Sequence, residues 1–566
     1  SSHRFLQTDN RAKSQKTKLM ENKVCLNCKK NFIIEPEDFD FYKRIDVPPP
    51  THCPDCRSQR RLAFTNIFVL HKRPCDLCGE NPVSMFASDA PYKVYCPKCW
   101  WSDDWDPFQY GRDFDFQRPF FEQFDKLLHD VPLLGLSLDY PKNINSPFNN
   151  HCGPLKNCYL VFFGVECEES LYGFYLVQTK STVDTSLAMW SEWCFDCRNI
   201  AHNNRCIGVQ NTIESIDCSF LRDCRNCQNC FGSANLKNKK YVFFNEQLTK
   251  TLYEDKIRQY DLGSHEGYKK AKAEAEKNWK NYPPRPIWMD LSVDSSGNYL
   301  FESKNCKECY EAVGAEDSKF LSMITSGPVK NAFDISGWGE NMTLCYECSI
   351  VGRNVSDMLF CMESGLNAHH CQYSKLSTGG AYHFGCVSLK KGEYCIFNKK
   401  YPKQEYEILK KKIIEHMKST GEYGEFFPMS ISPHPYYETL AEGFFPHGDV
   451  GKQEKHDYKI TMRASELPDH IADSTPLILK NIIECEKCQR GYRIAQMEFD
   501  FLKQMRLPLP RRCPFCRIDE KFKQWVKQMK LVDRVCDQCK KDFRTPYTSD
   551  EYPAILCKEC WTEKYS

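Results

Sequence analysis

Short apolar segments separated by polar residues dominate the middle of the chain. Residues 158–165, 171–177 and 241–244 are rich in aromatic and β-branched side chains and are bounded by Asn, Ser, Asp and Gly, which is typical of short β-strands. Such segments recur about every 10–13 residues, and this recurrence predicts a solenoid in which each coil covers the apolar face of the next. A β-sandwich and a twin sheet remain open alternatives, because periodicity in short strands discriminates poorly between them.

Two helical patterns, 251–280 and 403–420, each follow a block of these strands, and prolines follow both patterns. The two blocks also align with each other at a shift of about 150 residues. At a shift of 153, Phe231 falls on Phe384 and Tyr241 falls on Tyr394. The middle of the chain is therefore predicted to hold two β halves, each ending in a helix.

The two ends of the chain repeat each other as well. A shift of 460 carries residues 39–41 onto 499–501 and Arg57 onto Arg517 without a gap. Within the first copy, Pro36 followed by two acidic residues predicts a helix start, since proline tolerates the first turn and acids suit the helix N-terminus.

Cysteine is the most unusual part of the composition. The chain contains 34 cysteines, and eight CxxC pairs lie near its two ends. A CxxC knuckle turns two sulfurs toward one point, and two knuckles supply the four thiolates of a tetrahedral Zn²⁺ site. The spacers between paired knuckles are 24, 17, 24 and 17 residues long. The predicted ligands are Cys25, Cys28, Cys53, Cys56, Cys75, Cys78, Cys96, Cys99, Cys485, Cys488, Cys513, Cys516, Cys536, Cys539, Cys557 and Cys560.

Redox pairs and disulfides are the competing interpretations of these sixteen cysteines. A redox CxxC normally occurs once, near a βαβ pattern, and disulfides suit short secreted chains more than one of 566 residues. We therefore predict four zinc ions, each held by four cysteines. Because protein ligands fill every position of such a site, its role is structural.

The N-terminal pattern, from Cys25 through the aromatic segment 39–42 to Cys56, resembles the small bacterial "probable zinc-ribbon" domain. The CxxC-x17-CxxC pattern that follows, from Cys75 to Cys99, looks like a ribbon domain often found directly after it, and the C-terminal end carries both patterns. The whole chain is similar to uncharacterised zinc-ribbon proteins of candidate-phyla bacteria. The resemblance implies zinc binding and small ribbon folds.

Three central cysteines, Cys224, Cys227 and Cys230, have the first spacings of a ferredoxin-like cluster sequence, but no CxxxC-Pro follows them. The pairs Cys194/Cys197 and Cys345/Cys348 recur in both β halves, as the shift of 151 between them shows. They would form a fifth zinc site if the halves packed face to face. Burial in a β interior is the favoured interpretation of all seven, because free cysteine is among the most buried residue types.

His369, His370, Cys371, His383 and Cys386 place histidines and cysteines close together in sequence. Such a group invites a Cys–His nucleophile or a metal site, but a nucleophile needs a base within hydrogen-bond reach, which sequence proximity does not provide. Core or surface histidines are therefore the default interpretation.

Charge and hydropathy exclude some classes of protein. Lys plus Arg is 77 and Asp plus Glu is 75, so the net charge of +2 gives no global reason for binding a polyanion. No apolar run approaches the ~18 residues of a membrane span, and residues 1–18 are polar and basic rather than a secretory signal. We expect a cytoplasmic protein without membrane contact.

Local basic patches beside the knuckles are the main indication of a partner. Cations interleave with Trp525 on a predicted helix, as in proteins that stack on single-stranded nucleic acid. Neutralisation of the metal thiolates is the alternative explanation for these cations. The predicted nucleic-acid contacts are Arg57, Arg60, Arg61, Arg511, Arg512, Arg517, Lys523 and Lys527.

The sequence thus predicts a mixed, β-rich fold in which two-zinc ribbon modules at both termini flank a duplicated, solenoid-like or twin-sheet β centre with connecting helices. The expected order is a basic tail (1–22), an N-terminal double zinc ribbon (23–105), two β halves (150–282 and 295–420), a proline-containing linker (421–480) and a C-terminal double zinc ribbon (481–566).

The leading functional hypothesis is a non-enzymatic zinc scaffold that binds RNA or a ribonucleoprotein. A self-assembling or protein-binding structural protein and a carbohydrate-active enzyme built on a β-solenoid are the alternatives.

Overall fold

A computed structural model describes residues 20–140, 142–448 and 458–565. Within these ranges the fold is β-rich, with a β-solenoid in the centre and cysteine clusters near both ends, as the sequence predicts. In the same ranges, every helix is too short or too polar to cross a membrane. The predicted basic tail lies outside the described residues except for its last three positions.

The N-terminal region combines short hairpins with short helices. Its helix α1 begins at Pro36, as the proline and the two acids after it predict. The strands are β1 (Glu21–Val24), β2 (Asn31–Ile34), β3 (His71–Lys72), β4 (Val83–Ser84) and β5 (Val94–Tyr95); the helices are α1 (Pro36–Arg44), α2 (Pro54–Leu62), α3 (Pro97–Trp101) and α4 (Phe120–Asp130).

The first β half is a stack of parallel coils with a repeat of twelve residues. Leu171 pairs with Val183, Val183 with Phe195, and Phe195 with Ile207 along one side. Strand β6 (Leu133–Leu134), just before this half, pairs with β5 of the N-terminal region. The strands of the half are β7 (Asn143–Ile144), β8 (Leu155–Lys156), β9 (Tyr159–Val165), β10 (Cys167–Glu168), β11 (Leu171–Val177), β12 (Ser186–Met189), β13 (Arg198–Ala201), β14 (Gln210–Ile213) and β15 (Arg222–Arg225). A hairpin and two helices close it: β16 (Val242–Phe243), β17 (Glu246–Gln247), α5 (Lys250–Ile257) and α6 (His265–Trp279).

The second β half repeats this plan, with thirteen residues per coil in its middle and twelve near its end. Val329 pairs with Met342 and Met342 with Val355, whereas Gln372 pairs with Phe384. Its strands are β18 (Met289–Asp290), β19 (Gly297–Phe301), β20 (Lys304–Lys307), β21 (Cys309–Val313), β22 (Ala315–Ser326), β23 (Val329–Gly339), β24 (Met342–Gly352), β25 (Val355–Ser356), β26 (Ala381–Phe384), β27 (Glu393–Ile396) and β28 (Lys399–Lys400), and helix α7 (Lys403–Ser419) follows.

Within each coil the residues repeat in threes. Cys194, Cys197 and Ile200 point inward and are at most 3% exposed, while Trp193, Asp196 and Asn199 have a positive φ of 50–55°. A left-handed residue at every third position turns the chain after each short side. Non-glycine residues adopt this conformation at a cost, so the coils depend on compensating contacts. Ladders of side-chain amides between successive coils, such as Asn199 to Asn211 (2.9 Å), supply some of them.

The C-terminal region repeats the N-terminal arrangement of hairpins and helices. Its elements are α8 (Leu440–Phe444), β29 (Met462–Arg463), β30 (Ile483–Glu484), β31 (Gly491–Tyr492), α9 (Gln496–Met505), α10 (Pro514–Gln528), β32 (Val532–Val535), β33 (Asp542–Thr545) and α11 (Lys558–Tyr565). The segment expected to be a linker, 421–480, includes α8 and several single turns, and Phe426 and Phe427 within it are buried in the core.

The two terminal regions pack crosswise on the solenoid. Phe41 of α1 stacks on Phe333 of the second half at 3.9 Å between ring centroids, and Phe501 of α9 lies parallel to Trp193 of the first half at 5.8 Å. Residues of the N-terminal module and the second half share one core, and residues of the C-terminal module and the first half share another. Helices α1 and α2 thus pack on the second half and α9 and α10 on the first, and α10 also contacts the second half through Trp525 and Glu311.

Candidate metal centres

Four groups of four cysteines lie close enough to hold metal ions. In each group the four sulfurs are within 4.8 Å of one another. The groups are site 1 (Cys25, Cys28, Cys53, Cys56), site 2 (Cys75, Cys78, Cys96, Cys99), site 3 (Cys485, Cys488, Cys513, Cys516) and site 4 (Cys536, Cys539, Cys557, Cys560). All sixteen cysteines predicted as ligands are thus brought together in the predicted fours.

The first knuckle of every site has the same backbone geometry. In site 1 the Cys25 N–H donates to the Lys30 carbonyl at 2.9 Å, and the Lys29 N–H donates back to the Cys25 carbonyl at 3.1 Å. The residue after the second cysteine has a positive φ in all four knuckles. Those residues are Lys29, Gly79, Gln489 and Lys540, with φ of 62–76°.

The second knuckle places two cysteines at the start of a helix. Cys53, Cys96 and Cys513 are the N-cap residues of α2, α3 and α10, and a proline occupies the first helical position of each. Cys557 immediately precedes α11 in the same way. The unpaired N–H groups at a helix N-terminus favour a thiolate, but burial has the larger effect here and raises the pKa of Cys53, Cys96, Cys513 and Cys557.

Sulfur–sulfur distances fit a tetrahedral ion. Four thiolates at ~2.3 Å from Zn²⁺ are about 3.8 Å apart. The structure places Cys28 and Cys53 sulfurs 3.6 Å apart, Cys488 and Cys513 sulfurs 3.7 Å apart, and Cys539 and Cys557 sulfurs 3.7 Å apart. The residues present therefore fit a closed tetrathiolate site.

Backbone donors around the first cysteine of each site favour its ionised form. Burial opposes ionisation, but N–H groups aimed at the sulfur lower the pKa of Cys25 and Cys536 to about 6, and of Cys75 and Cys485 to about 7. One such donor is the Cys513 N–H, 3.2 Å from the Cys485 sulfur. Because the thiolate is the form that binds a metal cation, the lowered pKa of these four cysteines favours metal binding.

The other eighteen cysteines are all buried in the solenoid and do not belong to these groups. In every one of them the sulfur lies 3.2–3.6 Å from the backbone carbonyl oxygen two residues earlier, to which the S–H donates. Ser191 and Thr185 make the same bond from equivalent positions. The central CxxC spacings thus arise from the inward position of every third residue, which agrees with the core interpretation of Cys194, Cys197, Cys224, Cys227, Cys230, Cys345 and Cys348.

The histidines and cysteines between 369 and 386 form no Cys–His dyad. The ring of His383 is fully buried between the Ser377 hydroxyl (3.2 Å) and the Gly392 carbonyl (3.1 Å), and burial lowers its pKa to about 4. The Cys371 and Cys386 thiols donate to backbone carbonyls. His369 and His370 contact Ser356 and Asp357 of the preceding coil instead.

The arginines predicted to contact phosphates at the N-terminal end lie inside the protein. Arg57 and Arg61 are at most 2% exposed, and both form ion pairs with the buried Asp334 and Glu347 of the second β half at 2.9–3.7 Å. Arg60 pairs with Glu347 at 3.6 Å and with Glu425 at 2.8 Å. These guanidinium groups hold the module on the solenoid, and the burial of Arg57 and Arg61 leaves them unavailable to a nucleic-acid phosphate.

The C-terminal module is held by an equivalent set of charges. Arg517 pairs with Asp184 of the first half and with Glu498 (2.9 Å), and Lys521 pairs with Asp196 at 2.6 Å. Arg511 is also buried and donates to two backbone carbonyls. Of the remaining predicted contacts, Arg512 pairs with Glu520, Lys523 with Asp519, and Lys527 with Glu551, all at least one-third exposed.

Sequence reasoning missed the acidic partners of these cations, although the signal is present. Asp184 and Asp334 are 150 residues apart, and Asp196 and Glu347 are 151 apart, which matches the shift between the two β halves. The acids therefore recur at the offset that relates the two β halves, and the cations recur at the offset of 460 residues that relates the two ends. A match between these two recurrences identifies a docking contact that occurs twice in the molecule.

Comparison with known proteins adds no assignment. No protein-family model and no curated protein matches the chain. Among solved structures, a "putative acetyltransferase" from Desulfovibrio desulfuricans G20 aligns at 10% identity over 47% of this chain and 79% of that one. The TM-score of that alignment is 0.10, so it supports no statement about this chain.

Proposed function

We propose that the protein is a non-enzymatic scaffold whose terminal modules are folded by four zinc ions and locked onto a β-solenoid. One observation carries this proposal: the helices that hold the second cysteine pairs of sites 1 and 3, α2 and α10, also contribute the docking cations. In α2 the ligands Cys53 and Cys56 are followed by Arg57 and Arg61. A metal that fixes the start of this helix therefore also fixes the ion pairs one turn later.

Zinc is the metal that the donor set favours. Closed sites of four thiolates are typical of structural zinc, and they leave no position for a substrate or an activated water. A zinc-ribbon identity of the two modules, which the sequence resemblance implies, belongs to the same proposal. The ions would stabilise the modules, since apparent zinc binding in small domains is worth ~10–16 kcal/mol.

RNA remains the first partner to test, now through the exposed knuckle tips rather than the buried arginines. Exposed cations lie within or just after the first knuckles of sites 1, 3 and 4, where they outnumber the acids Glu486 and Asp537. The knuckle of site 2 has Asp76 within it and Glu80 just after it. The exposed cations are Lys29, Lys30, Lys487, Arg490, Lys540 and Lys541. Cations spread over several tips would contact phosphates along a flexible strand without reading its bases.

Two measurements test this proposal separately. Elemental analysis of the purified protein should return four zinc ions per chain, and a value near zero would reject the metal scaffold. Fluorescence anisotropy with a labelled single-stranded RNA at rising salt should show binding that weakens steeply, since each phosphate contact releases counterions. Charge reversal of Lys540 and Lys541 should weaken binding, while Asp76→Asn serves as the matched control at the acidic knuckle. Absence of binding at low salt removes RNA and leaves the zinc scaffold standing.

A protein partner is the second candidate, and the β1–β2 hairpin favours it. Val24, Leu26 and Ile33 on this hairpin are 58, 60 and 54% exposed beside site 1. Equivalent positions of the C-terminal ribbon, at a shift of 460, hold Glu484, Glu486 and Arg493. Concentration-dependent light scattering that shows self-association, abolished by Leu26→Glu, would support this candidate over RNA.

A further inference from the structure

Arg198 on β13 is a buried cation whose hydrogen bonds are incomplete. Its side chain is 7% exposed, and its Nη2 donates to Gln210 Oε1 at 3.2 Å. Its Nε and Nη1 are both buried and have no acceptor within the described part of the chain. A guanidinium group left unsatisfied in the interior is costly, so a missing acceptor is expected.

Other buried arginines of the described chain are satisfied in a different way. Arg57, Arg61, Arg222 and Arg517 pair with carboxylates, while Arg73 and Arg511 each donate to two or more backbone carbonyls. Arg198 has neither arrangement. Glu311 is the acid that influences it from the second half, but burial raises the pKa of that carboxyl to about 8, which favours its neutral form.

Arg198 is one of the residues that line a cleft of about 440 Å³. Solenoid strands form one wall of this cleft, α6 forms the second, and α10 with the residues before it forms the third. Seven lysines and arginines line it against five carboxylates, which leaves a formal excess of two positive charges. A volume of several hundred Å³ suits a small organic ligand, and the charge excess suits a dianion.

The other half of the molecule shows that the docking contact does not require this arginine. Ser349 occupies the position of Arg198 at a shift of 151, and its hydroxyl lies 2.9 Å from the Thr65 hydroxyl of the N-terminal module. There the interface is closed by two neutral side chains. At the C-terminal interface a cation replaces one of them and faces a cleft.

We infer that this cleft binds the phosphate group of a small phosphorylated molecule, with Arg198 supplying a buried charge at its wall and Gln210 orienting the guanidinium. Arginine is suited to this role because its planar group donates several hydrogen bonds to one oxyanion. Lys272 and Lys521, which share Asp196, lie at the same cleft and add positive potential. The inference is independent of the proposed function, since it requires neither RNA nor the exposed knuckles.

The test uses the full, zinc-loaded chain and two probes, inorganic phosphate and adenosine monophosphate. Isothermal titration at constant ionic strength, with chloride as the reference salt, should show saturable binding of at least one probe. Tighter binding of the nucleotide identifies a phosphate monoester as the ligand, and equal or exclusive binding of phosphate identifies the free ion. Arg198→Met should weaken binding at least tenfold, while Arg205→Gln, which removes an exposed cation of the same solenoid, should leave it unchanged.

A second variant separates a loss of binding from a folding defect in Arg198→Met. Gln210→Glu places a carboxylate next to the Arg198 Nη2 and so satisfies the guanidinium from within. This variant should raise the melting temperature without phosphate and should lose the phosphate response. Wild-type protein that binds neither probe, or an Arg198→Met or Gln210→Glu variant that binds as tightly as wild type, would overturn the inference.

Discussion

Cysteines at the ends of the molecule and cysteines in its centre share the CxxC spacing but have different chemistry. At the ends, sixteen sulfurs gather in fours and point at one another. In the centre, eighteen sulfurs point into the solenoid, and each donates to the carbonyl two residues earlier. The comparison teaches that the spacing alone does not identify a metal ligand.

Local context separates the two groups. A terminal knuckle is followed by a left-handed residue and is matched by a second knuckle at a helix start, usually with proline after its first cysteine. A central pair continues into further inward residues at steps of three, as Cys194, Cys197 and Ile200 show. Small polar residues replace cysteine within that series, because serine and threonine make the same backbone bond.

Removing one cysteine from each group should give the largest contrast. Cys513→Ser is expected to lose one zinc ion per chain and to unfold the C-terminal module around site 3, at a cost on the order of 10 kcal/mol. Cys194→Ser should retain all four ions and cost about 1 kcal/mol, because the serine hydroxyl keeps the donor in place. Elemental analysis and urea unfolding measure both effects.

A Cys513→Ser protein that keeps four zinc ions would show that site 3 is not a metal site. Loss of an ion from Cys194→Ser would show that the central cysteines also ligate metal, and the distinction between the two regions would fail.

The contact between the ends and the centre predicts the next largest effect. Asp334 and Glu347 together balance two buried arginines, Arg57 and Arg61, so loss of Asp334 leaves one buried acid against two buried cations. Asp184 pairs with Arg517, which keeps Glu498 as a partner of its own. Asp334→Ala should therefore destabilise the protein by about 3–5 kcal/mol, since one buried positive charge is left uncompensated. Asp184→Ala should cost less, about 1–3 kcal/mol.

Urea unfolding of both variants, beside the exposed control Asp519→Ala, tests this ranking. Equal losses of stability in Asp334→Ala and Asp184→Ala would mean that Glu498 does not compensate the charge of Arg517 once Asp184 is removed.

Much of this organisation was predictable from sequence, and the reasons are local. The grouping of the sixteen terminal cysteines follows from the spacings of 24 and 17 residues, and the helix start at Pro36 follows from the residue types of a first turn. The solenoid prediction is confirmed because a recurrence every 10–13 residues is close to the observed twelve.

What could not be predicted depends on contacts distant in sequence. Arg57 looks like a phosphate contact beside a knuckle until Asp334, 277 residues later, is placed against it. The crosswise packing has the same cause, since no local pattern indicates which half holds which module. The inward position of every third residue is visible in the sequence, for example at Cys194 and Cys197. It is easily overlooked, because ordinary β-strands are recognised by an alternation of apolar and polar residues with a period of two.

Glu311 provides a pH-dependent test of the same interface. Trp525 of α10 donates to its carboxylate at 3.2 Å, so this helix contacts the second half as well as the first. Burial raises the pKa of Glu311 to about 8. Between the ordinary value of about 4.3 and this value, the native state holds a proton that the unfolded state releases, so stability falls as pH rises, by ~1.4 kcal/mol per pH unit.

Glu311→Gln accepts the same hydrogen bond without ionising and should remove this slope. The variant and the wild type are expected to have equal stability near pH 4.5 and to diverge in favour of the variant up to pH 8. Parallel stability curves over that range would contradict a buried, protonated carboxyl.

The smallest effect is expected at Lys523, which is 70% exposed and pairs with Asp519 one turn earlier at 2.9 Å. Exposed pairs of this kind are worth about 0.3–0.5 kcal/mol, so Lys523→Ala should leave unfolding almost unchanged. Lys521, two residues earlier on the same helix, is buried against Asp196, and Lys521→Ala should be clearly destabilising. Lys523 lies on the surface of α10 and makes no contact that holds the module on the solenoid. A loss of RNA affinity in Lys523→Ala would therefore come from a lost RNA contact and not from a change in folding. A Lys523→Ala protein as unstable as Lys521→Ala would mean that the surface of α10 holds the module as firmly as its buried face does.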